Sequence, residues 1–426
     1  MQFHFALVQF HFALVQFHTA LVLIHSALVQ KKFPAVQFQL IRLKKIKNLA
    51  FKSIVSHNKA KYLHFCKAMN NKNTFFKDLK VVELASVLAG PSVGLFFAEL
   101  GAEIIKIENK KTGGDVTRSW KLPTEDKNAD VSAYFLSVNF LKKHLFLDVR
   151  KEEDYKKCIA HIKKVDVVIV NYKKGDDKKL KLDYASLKKI NPKLIYASIS
   201  GFSDTDERVA YDLILQAESG FMSMNGTTES GPLKMPVALI DILAAHHLKE
   251  AILLALLKRE KTKQGSCISV SLFDVAVASL VNQATNWLVA KQLPKPTGSL
   301  HPNIAPYGEI FKTKDGHTVT FAIGSDSQFT KLCALLHIPE TGADKNYLSN
   351  QLRVQNRKQL CTILNKEVKK QTLAYLQKEC TKHGVPFAKI RNLKEVFELP
   401  EAKKLIKKIK YNSKEYKVVT SFPAIL

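Results

Sequence analysis

The sequence predicts an α/β protein with a larger domain built on a parallel β-sheet and a smaller α+β domain after it. Short β-branched runs alternate with helical patterns between residues 80 and 200, which is typical of a parallel sheet covered by helices on both faces. A chain of 426 residues is long enough for two or three domains and a sizeable core. Hydrophobic residues make up 46% and charged residues 24%, so a wholly disordered chain is excluded.

The alternation begins with a predicted strand at Val81–Leu84. Gly90-Pro91 supplies a turn and a proline suited to the first turn of a helix through Leu100, and Gly101 ends that helix. The pattern then predicts strands at Ala102–Glu108, His144–Val149, Asp166–Tyr172 and Leu194–Ile199, with helices near Glu152–Lys163 and Tyr184–Ile190. This order indicates a Rossmann-like topology.

Two long helices are predicted next, at about Ile242–Arg259 and Leu272–Lys291, on either side of a short strand, Cys267–Val270. Two prolines and a glycine in Leu293–His301 indicate a domain boundary there. Beyond it we predict strands at Tyr307–Lys312 and His317–Ile323 around a Lys-Asp-Gly turn, helices at Gln328–Leu336, Arg353–Lys370 and Leu373–His383, and a last strand near Lys417–Ser421.

The predicted organisation has four parts. Residues 1–77 form a low-complexity and basic N-terminal extension, 78–292 the large domain, 293–400 the small domain, and 401–426 a C-terminal return to the large domain. Residues 2–29 repeat a seven-residue unit that places His4, His11, His18 and His25 at equal intervals. Because four imidazoles and three glutamines interrupt that run, a membrane span is not expected, and no cation precedes it as a secretory signal requires.

The segment 31–77 is basic and free of acidic residues, as in a mitochondrial transit peptide, but it favours Lys where such peptides favour Arg and Ser. We expect the working protein to begin near Met69 and to be cytoplasmic, with mitochondrial import as the weaker alternative. The six cysteines are far apart and have no zinc-ligand spacing, which indicates a reducing compartment and no metal.

The formal net charge of +28 raises the question of nucleic-acid binding. The chain contains 58 Lys but only 8 Arg, whereas bidentate contacts to phosphate and guanine favour Arg. No nucleic-acid partner is therefore expected. In a dinucleotide-binding protein, Glu108 could accept a hydrogen bond from a ribose hydroxyl. The turn LASVLAGPSVG, however, lacks the glycine pattern that cradles a pyrophosphate. The P-loop, G-x-S-x-G and H-E-x-x-H motifs are also absent from the sequence.

A longer series of segments carries a resemblance to a known family. The series is LKVVELASVLAGPSVGLFFAELGAEIIKIENKKTGGDVTRSW, SVNFLKKHLFLDV, DVVIVNY, INPKLIYASISGF, AYDLILQAESG, PVALIDILAA and REKTKQG. In this order the segments resemble the class III CoA-transferases of the CaiB/BaiF type, from about Phe76 to the C-terminus. Within that family, the stretch from HPNIAPYGEIFKTKDG to NQLRVQNRKQL is similar to succinyl-CoA:dicarboxylate enzymes of the glutarate type.

The resemblance implies that Asp241 is the catalytic nucleophile. Its carboxylate would attack an acyl-CoA thioester to give a mixed anhydride, and CoA thiolate would then form an aspartyl-CoA thioester. A carboxylate is ordinarily ionised at pH 7 and so needs no base to activate it. From the residues alone, Asp241 is also a good candidate for a helix N-cap, a role worth ~0.5–2 kcal/mol, because it directly precedes an apolar helical pattern.

The resemblance also implies two residues of the acyl pocket, Tyr211 and Asp212. Racemases of the same fold have a histidine at the position of Tyr211. Tyrosine, with a pKa near ~10, is a poor base at neutral pH, so transfer is favoured over proton exchange. A racemase or epimerase and a non-catalytic CoA-binding protein remain the alternatives.

The CoA-binding positions implied by the resemblance are Val87, Leu88, Ala89, Asn109, Leu147, Asn171 and Lys179. Asn109 stands where relatives often carry a cation, and the lysines expected to compensate are Lys110, Lys111, Lys142 and Lys143. No permanently bound cofactor is expected, since coenzyme A and acyl-CoA enter as substrates. The implied partners are an acyl-CoA donor, a small carboxylic acid acceptor and a second copy of the chain in an interlocked homodimer.

Overall fold

The structure is a computed structural model that describes residues 75–202, 206 and 208–424. The histidine repeat, Met69 and nearly all of the predicted N-terminal extension lie outside the described residues, and the expectations for them stay predictions.

The first part of the fold is a series of strands and helices. In chain order these are β1 (Lys80–Leu84), α1 (Ala89–Glu99), β2 (Glu103–Asn109), α2 (Ala133–Asn139), β3 (Lys143–Leu147), α3 (Glu152–Ile162), β4 (Val167–Val170), α4 (Asp176–Lys179), α5 (Tyr184–Lys188), β5 (Ile195–Ser200), α6 (Asp212–Glu218), α7 (Phe221–Met224), β6 (Gly226–Thr227), β7 (Gly231–Pro232), α8 (Leu239–Thr262), β8 (Ser266–Ser271), α9 (Leu272–Ala278) and α10 (Val281–Ala290).

The second part contains shorter elements. They are β9 (Tyr307–Lys312), β10 (Thr318–Ala322), α11 (Asp326–Leu335), α12 (Pro339–Ala343), α13 (Asn350–Gln355), α14 (Arg357–Val368), α15 (Leu373–His383), β11 (Phe387–Lys389), α16 (Leu393–Glu398), α17 (Pro400–Lys403), β12 (Ile406–Tyr411) and β13 (Lys414–Val419).

Six strands form one parallel sheet in the order β3-β2-β1-β4-β5-β8, which confirms the predicted α/β fold class. All four residues of β4, with the sequence VVIV, are buried, as expected for a central strand that is covered on both faces. Strands β2 and β3 follow β1 on one side of the sheet, and β5 and β8 follow β4 on the other side. In sheets of this kind, ligands bind outside the carboxyl ends of the strands at the point where the order reverses.

Helix α1 lies in the centre of the molecule, and nearly all of its residues are buried. It packs against β1, β2 and β4 on one side and against α2 and α8 on the other. Gly94 is required at one close approach, because a side-chain carbon there would collide with the Glu83 carboxylate of β1. The packing of α8 on α1 sets the start of α8 near the carboxyl edge of the sheet.

The smaller sheet is antiparallel, with the order β11-β10-β9. The predicted Lys-Asp-Gly turn joins β9 to β10, and Gly316 there has a φ of 81°, which favours glycine. Phe311, Val319 and Phe321 pack from this sheet into a core completed by α11, α14 and α15. The predicted boundary at residues 292/293 stays a prediction.

Two predicted helices are interrupted in the structure. Leu272–Lys291 is divided into α9 and α10, because Val281 takes a φ of 45° that no continuous α-helix contains. Arg353–Lys370 is likewise divided at Asn356, the residue between α13 and α14. The strand predicted near Lys417–Ser421 is present as β13, which begins earlier, at Lys414, but its antiparallel partner β12 was not predicted.

The C-terminal hairpin lies against the first part of the chain. Val418 packs with Leu95 of α1 and Phe135 of α2 in one apolar cluster. The buried carboxylate of Glu99 in α1 accepts hydrogen bonds from the Thr420 hydroxyl at 2.8 Å and from the Ser421 amide at 2.7 Å. In the part of the chain that the structure describes, no helix is long and apolar enough to cross a bilayer.

Candidate active site

The carboxyl ends of β1 and β4 meet at the reversal point of the sheet, and one asparagine joins them. Asn171, just after β4, accepts a hydrogen bond from the Ser86 amide at 3.0 Å and donates one to the Ser86 carbonyl at 2.8 Å. Both polar groups of one side chain are thus used to hold the loop that follows β1. The predicted residue Asn171 therefore shapes the crevice as well as lining it.

A cleft of about 990 Å³ opens at this edge. Among its lining residues are four of the predicted CoA-binding positions, namely Asn109, Leu147, Asn171 and Lys179. From the loop after β1 the cleft is lined by residues 84–86, whereas the predicted Val87, Leu88 and Ala89 follow directly and lead into α1. The structure thus brings positions from four separate segments of the chain to one cleft.

The backbone of Val87 is in the left-handed region, with a φ of 71°, which is unusual for a β-branched residue. Its amide donates to both oxygens of the Asp115 carboxylate, at 3.3 and 3.2 Å. Asp115 also accepts from the amide and the hydroxyl of Thr117, at 3.1 and 2.8 Å. A buried carboxylate therefore fixes the conformation of this loop, a role that the sequence did not indicate.

Below the cleft, two buried lysines share one buried carboxylate. Glu83 accepts from Lys106 at 2.9 Å and from Lys142 at 2.8 Å, and Lys106 also lies 3.1 Å from Asp115. Burial alone would lower the pKa of Lys106, but Glu83 and Asp115 outweigh it and raise that pKa. Burial dominates at Lys142 and lowers its pKa to about 8.

A second buried network involves Glu108 at the end of β2. Its two carboxylate oxygens accept from Arg118 at 2.6 and 2.7 Å, and one of them also lies 2.8 Å from His144 Nδ1. Burial alone would raise the pKa of Glu108, but the hydrogen bonds from Arg118 and His144 hold it well below its usual range. Arg118 also donates to the hydroxyl of Tyr411 in the C-terminal hairpin at 3.3 Å. Glu108 is therefore fully engaged with protein groups rather than free to accept from a ribose.

The cations at the cleft differ from those expected. Lys142 is buried against Glu83, and Lys143 pairs with Glu103 at 2.6 Å, at the end of β3 opposite to Leu147. Neither can compensate for Asn109, so that part of the sequence prediction was wrong. Arg150 and Lys173 line the cleft instead, together with the predicted Lys179. Their positions directly after β3 and β4 were the available sequence signal.

Asp241 lies in the first turn of α8, and only 8% of it is exposed. The N-cap of this helix is Ala238, so the N-cap interpretation of Asp241 was wrong. Within the described residues, no hydrogen bond reaches the Asp241 carboxyl group. Burial, and then the charge of Asp212, raises its pKa to about 7. The protonated form of Asp241 is thus favoured much more than in the ordinary carboxylate assumed from the sequence.

The other two pocket residues take different positions beside Asp241. Asp212 begins α6 and is half-buried, and Tyr211, its N-cap residue, is 52% exposed. Sequence reasoning missed Tyr134 of α2, which packs edge to face on Trp120 at 5.2 Å. Burial, followed by the charges of Asp241, Asp212 and Asp115, raises the pKa of Tyr134 to about 12. Tyr134 thus responds to the charges of Asp241 and Asp212 and also to that of Asp115, which lines the cleft.

We call Asp241, Asp212 and Tyr134 the Asp241 corner. None of the three is among the residues that line the cleft. The corner contains a poorly solvated carboxyl group, and among the described residues no lysine or arginine is paired with it. No group of three or more His, Cys, Asp or Glu side chains in the described ranges could hold a metal ion. A buried carboxyl group without a paired cation suits covalent chemistry on a carboxylate.

Comparisons with known proteins show the family to which this chain belongs. Residues 76–425 match the sequence model of CoA-transferase family III. The chain is 37% identical over 339 residues to the succinate–glutarate CoA-transferase of Agrobacterium fabrum, covering 78% of this chain and 84% of that protein. It is 34% identical over 336 residues to the human succinyl-CoA:glutarate CoA-transferase, covering 78% of this chain and 75% of that protein.

A crystal structure of a CaiB/BaiF family protein from Brucella suis superposes with a TM-score of 0.72 at 39% identity, and the match covers 83% of this chain and 92% of that one. Fold, family match and curated relatives all point the same way and confirm the enzyme class expected from the sequence. The chain belongs to CoA-transferase family III.

Proposed function

We propose that the protein moves CoA from an acyl-CoA thioester to a small dicarboxylic acid, with Asp241 as the nucleophile. The observation that carries this proposal is the Asp241 carboxyl group, which is buried and has a pKa raised to about 7. A carboxylate that keeps little of its hydration is a stronger nucleophile than one in water. The positive end of the α8 dipole also favours negative charge at the reacting carbonyl.

The proposed reaction proceeds through two kinds of covalent intermediate. A carboxylate oxygen of Asp241 attacks the thioester carbonyl, the C–S bond breaks, and an aspartyl anhydride and CoA thiolate result. The thiolate then attacks the aspartyl carbonyl, which releases the donor acid as a carboxylate and leaves an aspartyl-CoA thioester. The acceptor carboxylate repeats the two steps in reverse order, and Asp241 is regenerated as a free carboxylate. No net proton transfer is required.

The lining of the cleft supports the binding of CoA as a substrate. Arg150, Lys173 and Lys179 supply positive charge for the phosphates, and apolar residues such as Leu147 line the wall between them. The names of the Agrobacterium and human relatives support succinyl-CoA and a dicarboxylic acid of similar length as one substrate pair. Another curated relative, 34% identical over 330 residues, is the acetyl-CoA:oxalate CoA-transferase of Acetobacter aceti, so the acceptor can differ within the family.

A homodimer is part of this proposal. Large apolar side chains are exposed on neighbouring elements of the described chain, including Leu254 and Leu257 on α8 and Trp287, Leu288 and Val289 on α10. Exposed apolar surface of this extent is typical of a protein–protein interface. Light scattering of the wild type should give twice the monomer mass. A Leu288→Glu variant should shift toward monomer, and a monomeric wild type would contradict a dimer.

The test of function is mass spectrometry of the full chain after brief exposure to succinyl-CoA, followed by peptide mapping. We expect a CoA-sized adduct on Asp241 that is lost in Asp241→Asn, together with transfer activity reduced by at least about a thousandfold. The matched control is Asp274→Asn, since Asp274 is an exposed aspartate in the first turn of α9 and should be dispensable. An active Asp241→Asn variant would remove Asp241 from the mechanism. Exchange of the α-proton in heavy water without transfer would favour the racemase alternative.

A further inference from the structure

The first turn of α8 is capped by a residue from outside the helix. The first amide groups of any α-helix lack acceptors within that helix. In α8 the N-cap residue is Ala238, whose side chain has no acceptor, and Ile240 two residues later is fully buried. A buried amide without a partner is costly, so the Ile240 amide needs an acceptor from elsewhere.

That acceptor is Asp212 of α6. One of its carboxylate oxygens accepts from the Ile240 amide at 2.8 Å, and the other accepts from the side-chain amide of Gln216 at 2.6 Å. Gln216 is itself buried, and its carbonyl oxygen accepts from the Met235 amide at 2.8 Å. Asp212 and Gln216 therefore tie α6 to the start of α8 and to the segment that leads into it.

We propose that Asp212 is a positioning residue for the transfer reaction, which holds the Asp241 turn in place and keeps a negative charge beside it. The inference rests on the proposed role of Asp241 as nucleophile. It differs from a substrate-pocket role for Asp212, because both carboxylate oxygens are already occupied by protein groups. Asp212 caps Ile240, and the next residue is Asp241. Asp212 would therefore act on the substrate only through Asp241.

The negative charge has a consequence of its own. When Asp241 is acylated, its charge leaves with the CoA thiolate, and the repulsion between the two carboxylates disappears. Asp212 therefore disfavours free ionised Asp241 relative to the acylated enzyme, which is an interaction that promotes the first step. The raised pKa of Asp241 is consistent with this, since the charge of Asp212 contributes to it after burial.

Other charged groups near α8 do not replace Asp212. Tyr134 faces Asp241 from α2 and stays neutral, because its pKa is raised to about 12. From α1, the carboxylate of Glu99 acts on Lys249, two turns further along α8. His246, on α8 itself, has a pKa that burial and then Lys249 lower. Of the described groups, Asp212 is the one whose charge reaches Asp241.

The test compares Asp212→Asn with Asp212→Ala in the full chain. Asparagine keeps an oxygen that can accept from the Ile240 amide but removes the charge, and alanine removes both. Glu218→Gln is the matched control, since Glu218 lies on the same helix and pairs with the exposed Arg208 instead. Two readouts are needed, namely hydrogen exchange of the Ile240 amide and the pH profile of kcat/KM for succinyl-CoA.

For Asp212→Asn we expect Ile240 to stay protected, while the acid limb of the profile moves to lower pH by at least about half a unit. For Asp212→Ala we expect the same shift, faster exchange at Ile240 and a kcat reduced by about 10- to 100-fold. Glu218→Gln should match the wild type in both readouts. Since asparagine is nearly isosteric, the pH profile remains measurable even if the alanine variant does not fold.

An unshifted acid limb in Asp212→Asn would overturn the role of the charge, and wild-type protection of Ile240 in Asp212→Ala would overturn the capping role. The failure of the proposed function looks different. In that case the wild type itself forms no adduct on Asp241. If only the role of Asp212 is wrong, the wild type transfers CoA, and the Asp212 variants do so with an unchanged pH profile of kcat/KM.

Discussion

The cleft region and the Asp241 corner both contain buried carboxylates, but only those in and below the cleft are paired with cations. Glu83 contacts Lys106 and Lys142, and Glu108 contacts Arg118, all at hydrogen-bonding distance. In the corner, the charge that acts on Asp241 is that of another carboxylate, Asp212. The paired carboxylates of the cleft region hold backbone groups in place, whereas the unpaired Asp241 carboxyl group remains available to react.

The difference follows from what each region must do. A cleft that binds a large polyanion needs a rigid wall, and ion pairs with several hydrogen bonds supply it once their desolvation is offset. A nucleophile that was paired with a lysine would be stabilised in its ground state and would react more slowly. The comparison therefore predicts that removing a paired carboxylate destabilises the fold, whereas removing the unpaired Asp241 carboxylate abolishes turnover without destabilising the fold.

The largest effect on stability is expected for Glu83→Gln. This change leaves two buried lysines with one fewer carboxylate, and breaking a buried pair typically costs about 3–5 kcal/mol. Denaturant titration should show that loss. The matched control is Glu103→Gln on the neighbouring strand, whose pair with Lys143 is exposed and should contribute below about 1 kcal/mol. Equal losses in the two variants would contradict the assigned role of Glu83.

Asp241→Asn should stabilise the fold, and only at higher pH. The pKa of Asp241 is raised from 3.8 to about 7 in the folded protein. As the pH rises between those values, the group ionises in the unfolded chain before it does so in the folded protein, so the folded protein becomes less stable. Below about pH 4 the variant and the wild type should unfold alike. By pH 8 the variant should be more stable by up to about 4 kcal/mol, at ~1.4 kcal/mol per pKa unit. Thermal unfolding across this range measures the difference, and a constant difference would show that Asp241 is not buried as described.

Much of the parallel sheet could be predicted from the sequence because its signals are local. Runs such as VVIV, the Gly-Pro turn before α1 and the Lys-Asp-Gly turn each depend on a few adjacent residues. The break between α9 and α10 and the pairing of β12 with β13 could not be predicted, because a left-handed Val281 and a hairpin through Asn412 carry no such signature. Tertiary packing decides these positions.

The site shows the same limit. Asp241 and four cleft positions were named through the resemblance, but their surroundings were not. The pairing of Lys142 with Glu83 joins residues 59 apart in sequence, and the bond from Ile240 to Asp212 joins residues 28 apart. A single sequence does not contain these contacts in any pattern. The raised pKa of Asp241 depends on its burial and on the charge of Asp212, so the chemistry of the site needed the structure.

Asn171→Ala should raise the KM for acyl-CoA by roughly tenfold and leave kcat nearly unchanged. Its two hydrogen bonds to Ser86 hold the loop at the cleft, and each contributes about 0.5–1.5 kcal/mol. The matched control is Asn191→Ala at the opposite edge of the sheet. Asn191 also makes two bonds to backbone, to the carbonyls of Ile162 and Val165, so stability should fall similarly but KM should not change. A KM effect of equal size in both variants would make the loop irrelevant to binding.

The smallest effect is expected for Lys179→Ala. The Lys179 side chain lines the cleft but is 78% exposed, and it pairs with Asp176 in the absence of ligand. An exposed lysine acts on a phosphate as a screened point charge, so KM should rise by only about two- to threefold, and the effect should vanish in high salt. Lys178→Ala, the adjacent lysine outside the cleft lining, is the control and should leave KM unchanged. Because the same charge is removed in both variants, a difference between them isolates the position of the charge. An equal rise would mean that overall positive charge, rather than the cleft, attracts CoA.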